Sequence, residues 1–261
     1  MIRVALGAKK AHHGAHRRKP AAAVPPAFGT EPRLVELETI GQQFGNRLMH
    51  TGGEQATGAS LCHDEWRMQR DETAAAIVAG GRARRFGGRD KSRLVVDGRT
   101  IIARQIDVLQ LVASEIFIVS NDAGRFADLD LPVFPDHIAG AGAIGGIYTA
   151  LEVARAEFVV TVACDLPFLD AGLLARLVDL SRPCDGAWVH GAHGVEPLIA
   201  CYRRRARAAI EQAILAGRLR ASDLGAEIRL AEMTVDEVRA FGAPERLLAN
   251  INSPEDFALL Q

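Results

Sequence analysis

From Glu72 onward, short apolar runs rich in strand-forming residues alternate with longer amphipathic stretches, and this rhythm is what most limits the folds open to the chain. Ala74-Ala75-Ala76-Ile77-Val78 reads as a buried strand, and Thr100–Ala113 carries Ile101, Ile102, Ile106, Leu109 and Val112 at helical spacing. Further strands are expected at Glu115–Ser120, Leu131–Phe134 and Glu157–Ala163, with helices at Ile144–Ala156 and Leu173–Leu180. Strands separated by helix-length connections must pair mostly in parallel, because a parallel neighbour is reached only by a crossover. The expectation is an α/β fold of three layers, Rossmann-like, with helices on both faces of a mostly parallel central sheet. Apolar runs at Cys184–His190 and Glu196–Tyr202, a helix near Arg203–Ala216 and another at Ser253–Leu260 add an antiparallel extension.

Residues 1–71 lack that rhythm. They mix small residues, Pro20, Pro25, Pro26 and Pro32 with basic runs such as Arg17-Arg18-Lys19. The first 70 residues hold ten Lys/Arg against six Asp/Glu, so the remainder carries −5 of a total of −1. The division expected is a poorly structured extension at 1–71 and one domain at 72–261. Met68, just ahead of the first strand, also offers a second translation start. Ala21–Val24 is cut short by two prolines, which disfavours a signal peptide. The basic tail lacks the interleaved aromatics of a nucleic-acid surface, and no apolar run approaches membrane length. Cys62, Cys164, Cys184 and Cys201 form no C-x-x-C pair. Reduced thiols in a cytoplasmic chain, with neither nucleic acid nor membrane as partner, fit this composition.

In open parallel sheets, ligands collect beyond the carboxyl ends of the strands. The loop after the first strand reads Ala79-Gly80-Gly81-Arg82-Ala83-Arg84-Arg85-Phe86-Gly87-Gly88-Arg89-Asp90-Lys91. Glycines let backbone N–H groups approach phosphate oxygens, and the arginines and lysine neutralise a polyanion. Asp90 stands where a Walker A loop needs glycine, so P-loop chemistry is disfavoured. A second reading uses Gly140-Ala141-Gly142-Ala143-Ile144-Gly145, a formal G-x-G-x-x-G followed by Asp165, as a dinucleotide fingerprint. Against it, Asp136–Ala139 separate those glycines from the preceding strand.

The first loop, A-G-G-x-x-x-R-x-G-G-x-D-K, resembles the signature of the molybdenum cofactor guanylyltransferases. The likeness runs from about Thr73 to Leu260. It continues through Ser120-Asn121, Pro135-Asp136, Gly142-Ala143-Ile144-Gly145-Gly146, Cys164-Asp165-Leu166-Pro167 and Asn250-Ile251-Asn252-Ser253-Pro254-Glu255. Ala143 replaces that family's usual proline, and Glu196 before Pro197 is a second departure. The resemblance implies a nucleotidyltransferase fold and magnesium-dependent transfer of GMP from GTP to the phosphate of molybdenum-bound molybdopterin, with release of pyrophosphate. It also implies GTP and a molybdopterin-type acceptor as substrates, and molybdoenzymes or cofactor-delivery proteins as recipients. A cytidylyltransferase, a sugar-phosphate nucleotidyltransferase and a non-catalytic GTP-binding module remain alternatives within the same fold.

The residue chemistry fits independently. A phosphate acceptor is already ionised, so catalysis reduces to positioning and charge stabilisation, without a side-chain base. Asp165 is the candidate magnesium ligand, since magnesium takes one or two carboxylates beside phosphate and water oxygens; capping of the next helix is its rival role. Lys91 is the candidate for stabilising charge on the phosphates, and with Asp165 it forms the catalytic pair. By resemblance, Val78, Ala79 and Gly80 supply backbone contacts to base and ribose, and Asn121 and Asp136 contact the nucleotide, with turn formation as the rival. Gly81 belongs to the same cradle, and Arg84 and Arg85 are placed on the triphosphate by charge. Asn250 and Asn252 are candidates for the acceptor or metal side, against an N-cap at Ser253. The reading requires Lys91 and Asp165 on one rim of the sheet.

Overall fold

A computed structural model of the chain describes residues 66–80, 90–251, 253 and 256–257. Most of the expected extension, residues 1–65, lies outside the described residues, as does most of the helix expected at Ser253–Leu260. Residues 66–71 are helical (α1), which places order six residues ahead of the expected boundary at 72. Polar side chains dock this turn, so it leaves no apolar periodicity to read. Gln69 Nε2 donates to the Ala175 carbonyl (3.0 Å) and to Asp179 Oδ1 (3.1 Å), and Arg70 Nε donates to the Gln110 carbonyl (3.0 Å).

The central sheet grows outward from β1 (Thr73–Val78), whose six side chains are all buried. β1 pairs in parallel with β4 (Glu115–Val119) on one side and with β6 (Phe158–Ala163) on the other. β5 (Val133–Phe134) extends the β4 side in parallel. This strand is shorter than the expected Leu131–Phe134, since Pro132 has no N–H to contribute to a ladder. Beyond β6 come β8 (Gly194–Arg203), β7 (Gly186–Gly191) and β9 (Leu230–Thr234). β8 runs antiparallel to both its neighbours, while β9 is parallel to β7. The antiparallel addition is therefore a single reversed strand in a seven-stranded sheet. A small hairpin, β2 (Val95–Val96) and β3 (Arg99–Thr100), turns on Asp97 and Gly98, both at positive φ (50° and 76°). Asp-Gly is the dipeptide such tight hairpins prefer.

Side chains alternate across the sheet and give each face its own helices. Ala75, Ile77, Val160 and Val162 pack against α2 (Ile101–Val112) and α4 (Ala171–Ser181) through Ile102, Leu109, Leu173 and Leu177. Ala74, Ala76, Phe117 and Val119 meet α3 (Gly142–Val153) and α5 (Arg207–Leu215) through Ile144, Ile147, Leu151 and Ile210. α3 lies so close to β1 that a Cβ on Gly146 would stand 2.5 Å from Val78 Cγ1. Two short helices, α6 (Val235–Val238) and α7 (Pro244–Leu247), follow β9. Among the described residues, no helix is long and apolar enough to cross a membrane.

The strand order sets the site. From β1 the chain moves outward to β4 and β5, then returns to β6 on the opposite flank of β1. The loops leaving β1 and β6 therefore stand side by side at the carboxyl ends of adjacent parallel strands, where the ligand crevice of an open α/β sheet lies.

Candidate active site

The loop leaving β1 starts from a fixed point. The Ala79 N–H donates to the Val119 carbonyl (2.9 Å), and the Val78 carbonyl accepts from the Cys164 N–H (3.3 Å). Val78 and Ala79 are buried, and the chain emerges at exposed Gly80. Gly81, Arg84 and Arg85 lie outside the described residues. At Asp90 the chain enters a 3₁₀ turn, Lys91–Arg93, capped by the Asp90 carboxylate, which accepts from Ser92 N (2.9 Å) and Ser92 Oγ (2.7 Å). The same carboxylate forms a two-pronged ion pair with Arg125. Burial opposes its ionisation, but hydrogen bonds from Arg125 and Ser92 and the Arg125 charge outweigh this and hold the Asp90 carboxyl below its ordinary range.

This turn aims Lys91 across the crevice. Lys91 Nζ lies 3.4 Å from Asp165 Oδ2, and each side chain is less than one-fifth exposed (17% and 18%). Asp165 follows the end of β6 in a loop held from several directions. Gln105 Nε2 donates to the carbonyls of Ala163 (2.7 Å) and Leu166 (3.0 Å), Arg104 Nε to that of Pro167 (3.0 Å), and the Ile251 N–H to that of Asp165 (3.1 Å). Asp170, not Asp165, caps α4, its side chain accepting from Leu173 N (3.0 Å). The capping rival for Asp165 is removed, and its carboxylate pairs with Lys91.

The other expected residues assemble in part. Asn121, after β4, and Asp136, after β5, clasp each other: Asn121 Nδ2 donates to Asp136 Oδ2 (2.7 Å), and Asp136 N donates to Asn121 Oδ1 (2.9 Å). Gly80 borders this clasp, since a Cβ there would meet Asp136 Oδ2 at 3.9 Å. Ser253 exchanges hydrogen bonds with Asp256, its N–H donating to Asp256 Oδ2 (2.8 Å) and its Oγ accepting from Asp256 N (3.2 Å). That is the geometry of the expected N-cap. Asn250 stands one residue before Ile251, the donor to the Asp165 carbonyl, and Asn252 lies outside the described residues.

The dinucleotide-fingerprint reading of Gly140–Gly145 does not hold. These glycines follow β5 at the sheet edge, and Asp165 ends β6, which is separated from β5 by β4 and β1. A ligand pyrophosphate at the first could not place its ribose at the second. Gly145 instead answers to packing, because a Cβ there would stand 2.8 Å from Ala141 Cβ.

Three residues here were not anticipated. Arg125 and Gln105 brace the loops from neighbouring elements, a partnership that a linear pattern does not reveal. Glu196 was noted only as a departure. β8 pairs Ile199 with Val162 of β6, and the antiparallel register, continued, sets Glu196 opposite Asp165. Burial raises its carboxyl above the ordinary range, with His193 lowering it and the Asp165 charge raising it. Burial, then the Asp165 charge, pushes the Cys164 thiol up to about 11, and burial pushes Cys201 up to about 12. Both thiols are protonated at neutral pH and offer no nucleophile.

Lys91 and Asp165 thus meet beyond the carboxyl ends of adjacent parallel strands, the position at which α/β sheets take their ligands. Residues 75–229 match the family model of the MobA-like NTP transferase domain. A probable molybdenum cofactor guanylyltransferase of Carboxydothermus hydrogenoformans is 31% identical over 185 residues, covering 71% of this chain and 93% of that protein. A second, from Pelotomaculum thermopropionicum, is 33% identical over 186 residues, covering 71% and 90%. The crystal structure of molybdopterin-guanine dinucleotide biosynthesis protein A from Archaeoglobus fulgidus superposes with a TM-score of 0.62 at 25% identity, covering 72% of this chain and 96% of that one. The chain belongs to the MobA-like NTP transferase domain family.

Proposed function

We propose that this chain transfers GMP from GTP to the phosphate of molybdenum-bound molybdopterin, with magnesium, in a catalytic domain that starts at α1 and not at residue 72. An acceptor phosphate oxygen forms a bond to the α-phosphorus of GTP, the α–β bridging bond breaks, and pyrophosphate leaves. The observation that carries the reading is the 3.4 Å approach of Lys91 to Asp165 across the crevice. Neither group has to remove a proton from the acceptor. Lys91 is set to stabilise the charge that develops on the phosphates in attack and departure. Asn121 and Asp136, paired with one another beside Gly80, are set to meet the nucleoside.

The donors present suit magnesium. Asp165 offers hard oxygens, and Glu196 stands near it as a second carboxyl group. Among the described residues no group of three or more acidic, His or Cys side chains could hold a metal, so the remaining ligands would be phosphate and water oxygens. When bound beside Asp165, the ion would supply positive charge that offsets the charge of the departing pyrophosphate.

Gly80 supports GTP over CTP. Its φ is not left-handed, and a Cβ there would make only ordinary contact with Asp136. Neither backbone conformation nor protein packing demands glycine at this point, so the space it leaves suits the larger purine.

The test is to incubate the protein with magnesium, molybdenum-bound molybdopterin and each of the four NTPs in turn, and to weigh the products. A guanine dinucleotide formed with pyrophosphate from GTP is expected, and a preference for CTP would overturn the nucleotide assignment. Lys91→Ala should lower turnover by about 10²–10³-fold, the range for losing one preorganised charge-stabilising group. An unchanged rate removes Lys91 from the chemistry.

A further inference from the structure

The ion pair between Asp90 and Arg125 lies outside the roles assigned so far. Arg125 belongs to a 3₁₀ turn, Ala123–Phe126, that follows β4. Its Nε and Nη2 engage both oxygens of Asp90, the residue before Lys91. One planar group therefore fixes the residue that directly precedes Lys91. Arg125 is itself held, stacking 4.9 Å from the centroid of fully buried Phe126, while its carbonyl accepts from Arg93 Nη2 (2.9 Å). Arg93 in turn pairs with Asp128. The carboxyl end of the phosphate loop is thereby fastened to the β4 side of the sheet at the level of the crevice.

Stability alone is a weak reason for such a pair. Both side chains are 19% exposed, and charges withdrawn that far from water surrender hydration that their attraction roughly repays. What a bidentate fork supplies better than a point charge is fixed geometry. We infer that Arg125 is a positioning residue that holds the Lys91 ammonium in line with the Asp165 carboxylate by clamping Asp90, the residue before Lys91.

This inference rests on the proposed phosphate roles of Lys91 and Asp165, and its test is a double-mutant cycle read two ways. Arg125→Ala, Lys91→Ala and the double variant are compared in GMP-transfer kcat and KM, and separately in equilibrium affinity for GTP with magnesium. Arg125→Ala should lower kcat by about 10²-fold, the loss expected of an ångström-scale misplacement, with KM changed far less. In its background, Lys91→Ala should cost only a small part of what it costs in the parent, because coupled residues do not add. Arg125→Lys, which keeps the charge but not the fork, should recover only part of the rate. Full multiplicativity of the two losses overturns the inference, as does full recovery by lysine. If the parent protein transfers no GMP, the proposed function fails, and the affinity cycle still decides the positioning role. Should Arg125→Ala not fold, Asp90→Asn breaks the same clamp from the other side and replaces it in the cycle.

Discussion

Replacing Asp165 by Asn should abolish magnesium-dependent transfer and yet strengthen binding of the metal-free nucleotide. The Asp165 carboxylate engages the Lys91 ammonium, the group proposed to meet the triphosphate. At 3.4 Å and an effective dielectric of 20, the gross attraction is about 5 kcal/mol. Lost hydration cancels most of it, and a net value near 1 kcal/mol is the usual scale for a pair that still touches solvent. Releasing Lys91 should therefore tighten GTP binding in EDTA by about fivefold, since 1.4 kcal/mol is a factor of ten. Removal of a carboxylate that repels the uncomplexed triphosphate acts in the same direction. Titration calorimetry of both proteins, with EDTA and then with magnesium, reads the two effects separately. If Asp165→Asn binds metal-free GTP more weakly than the parent, the pair is not a latch between the two ligands. If its affinity still rises on adding magnesium as the parent's does, the metal is held elsewhere.

Gly146→Ala should destabilise the fold by about 1–3 kcal/mol, the cost of overpacking, because its methyl would meet Val78 Cγ1 at 2.5 Å. Val78→Ala in the same chain should return part of the loss in urea unfolding, whereas simple addition of the two costs would refute the clash. Asp90 should make the protein acid-sensitive. Its folded carboxyl titrates below its unfolded value, so the stability it contributes is present above about pH 4 and disappears as pH falls through the folded value. Asp90→Asn should thus narrow the gap between urea midpoints at pH 7 and pH 3. Cys164, with its thiol near 11, should resist iodoacetamide at pH 8 in the folded protein and react once unfolded, as mass spectrometry of the alkylated peptide would show.

The parts of the fold that were legible in the sequence are those whose signal is local. Ala74–Val78 and Phe158–Ala163 are buried on both faces and so read as unbroken apolar runs, and α2 carries a clean helical stripe. The β2–β3 hairpin was overlooked although Asp97-Gly98 announces it, because two-residue strands leave no periodicity. β9 was missed because Leu230-Ala231-Glu232-Met233-Thr234 lies at an edge with mixed burial. Of the candidate site, the meeting of Lys91 with Asp165 could be read because both follow strands that a parallel sheet sets side by side. Arg125, Gln105 and Glu196 could not, because each acts through a partner at least 31 residues away in the chain, a relation that only the strand order creates.

The absence of a Cβ at Gly146 has a bearing on how such an enzyme can change. β1 and the helix behind it are seated against each other so closely that Gly146 cannot gain a methyl unless Val78 gives way. Change is then most easily accommodated at the rim, where a side chain at position 80 would meet only ordinary contact, while the β1–α3 seat must change as a matched pair.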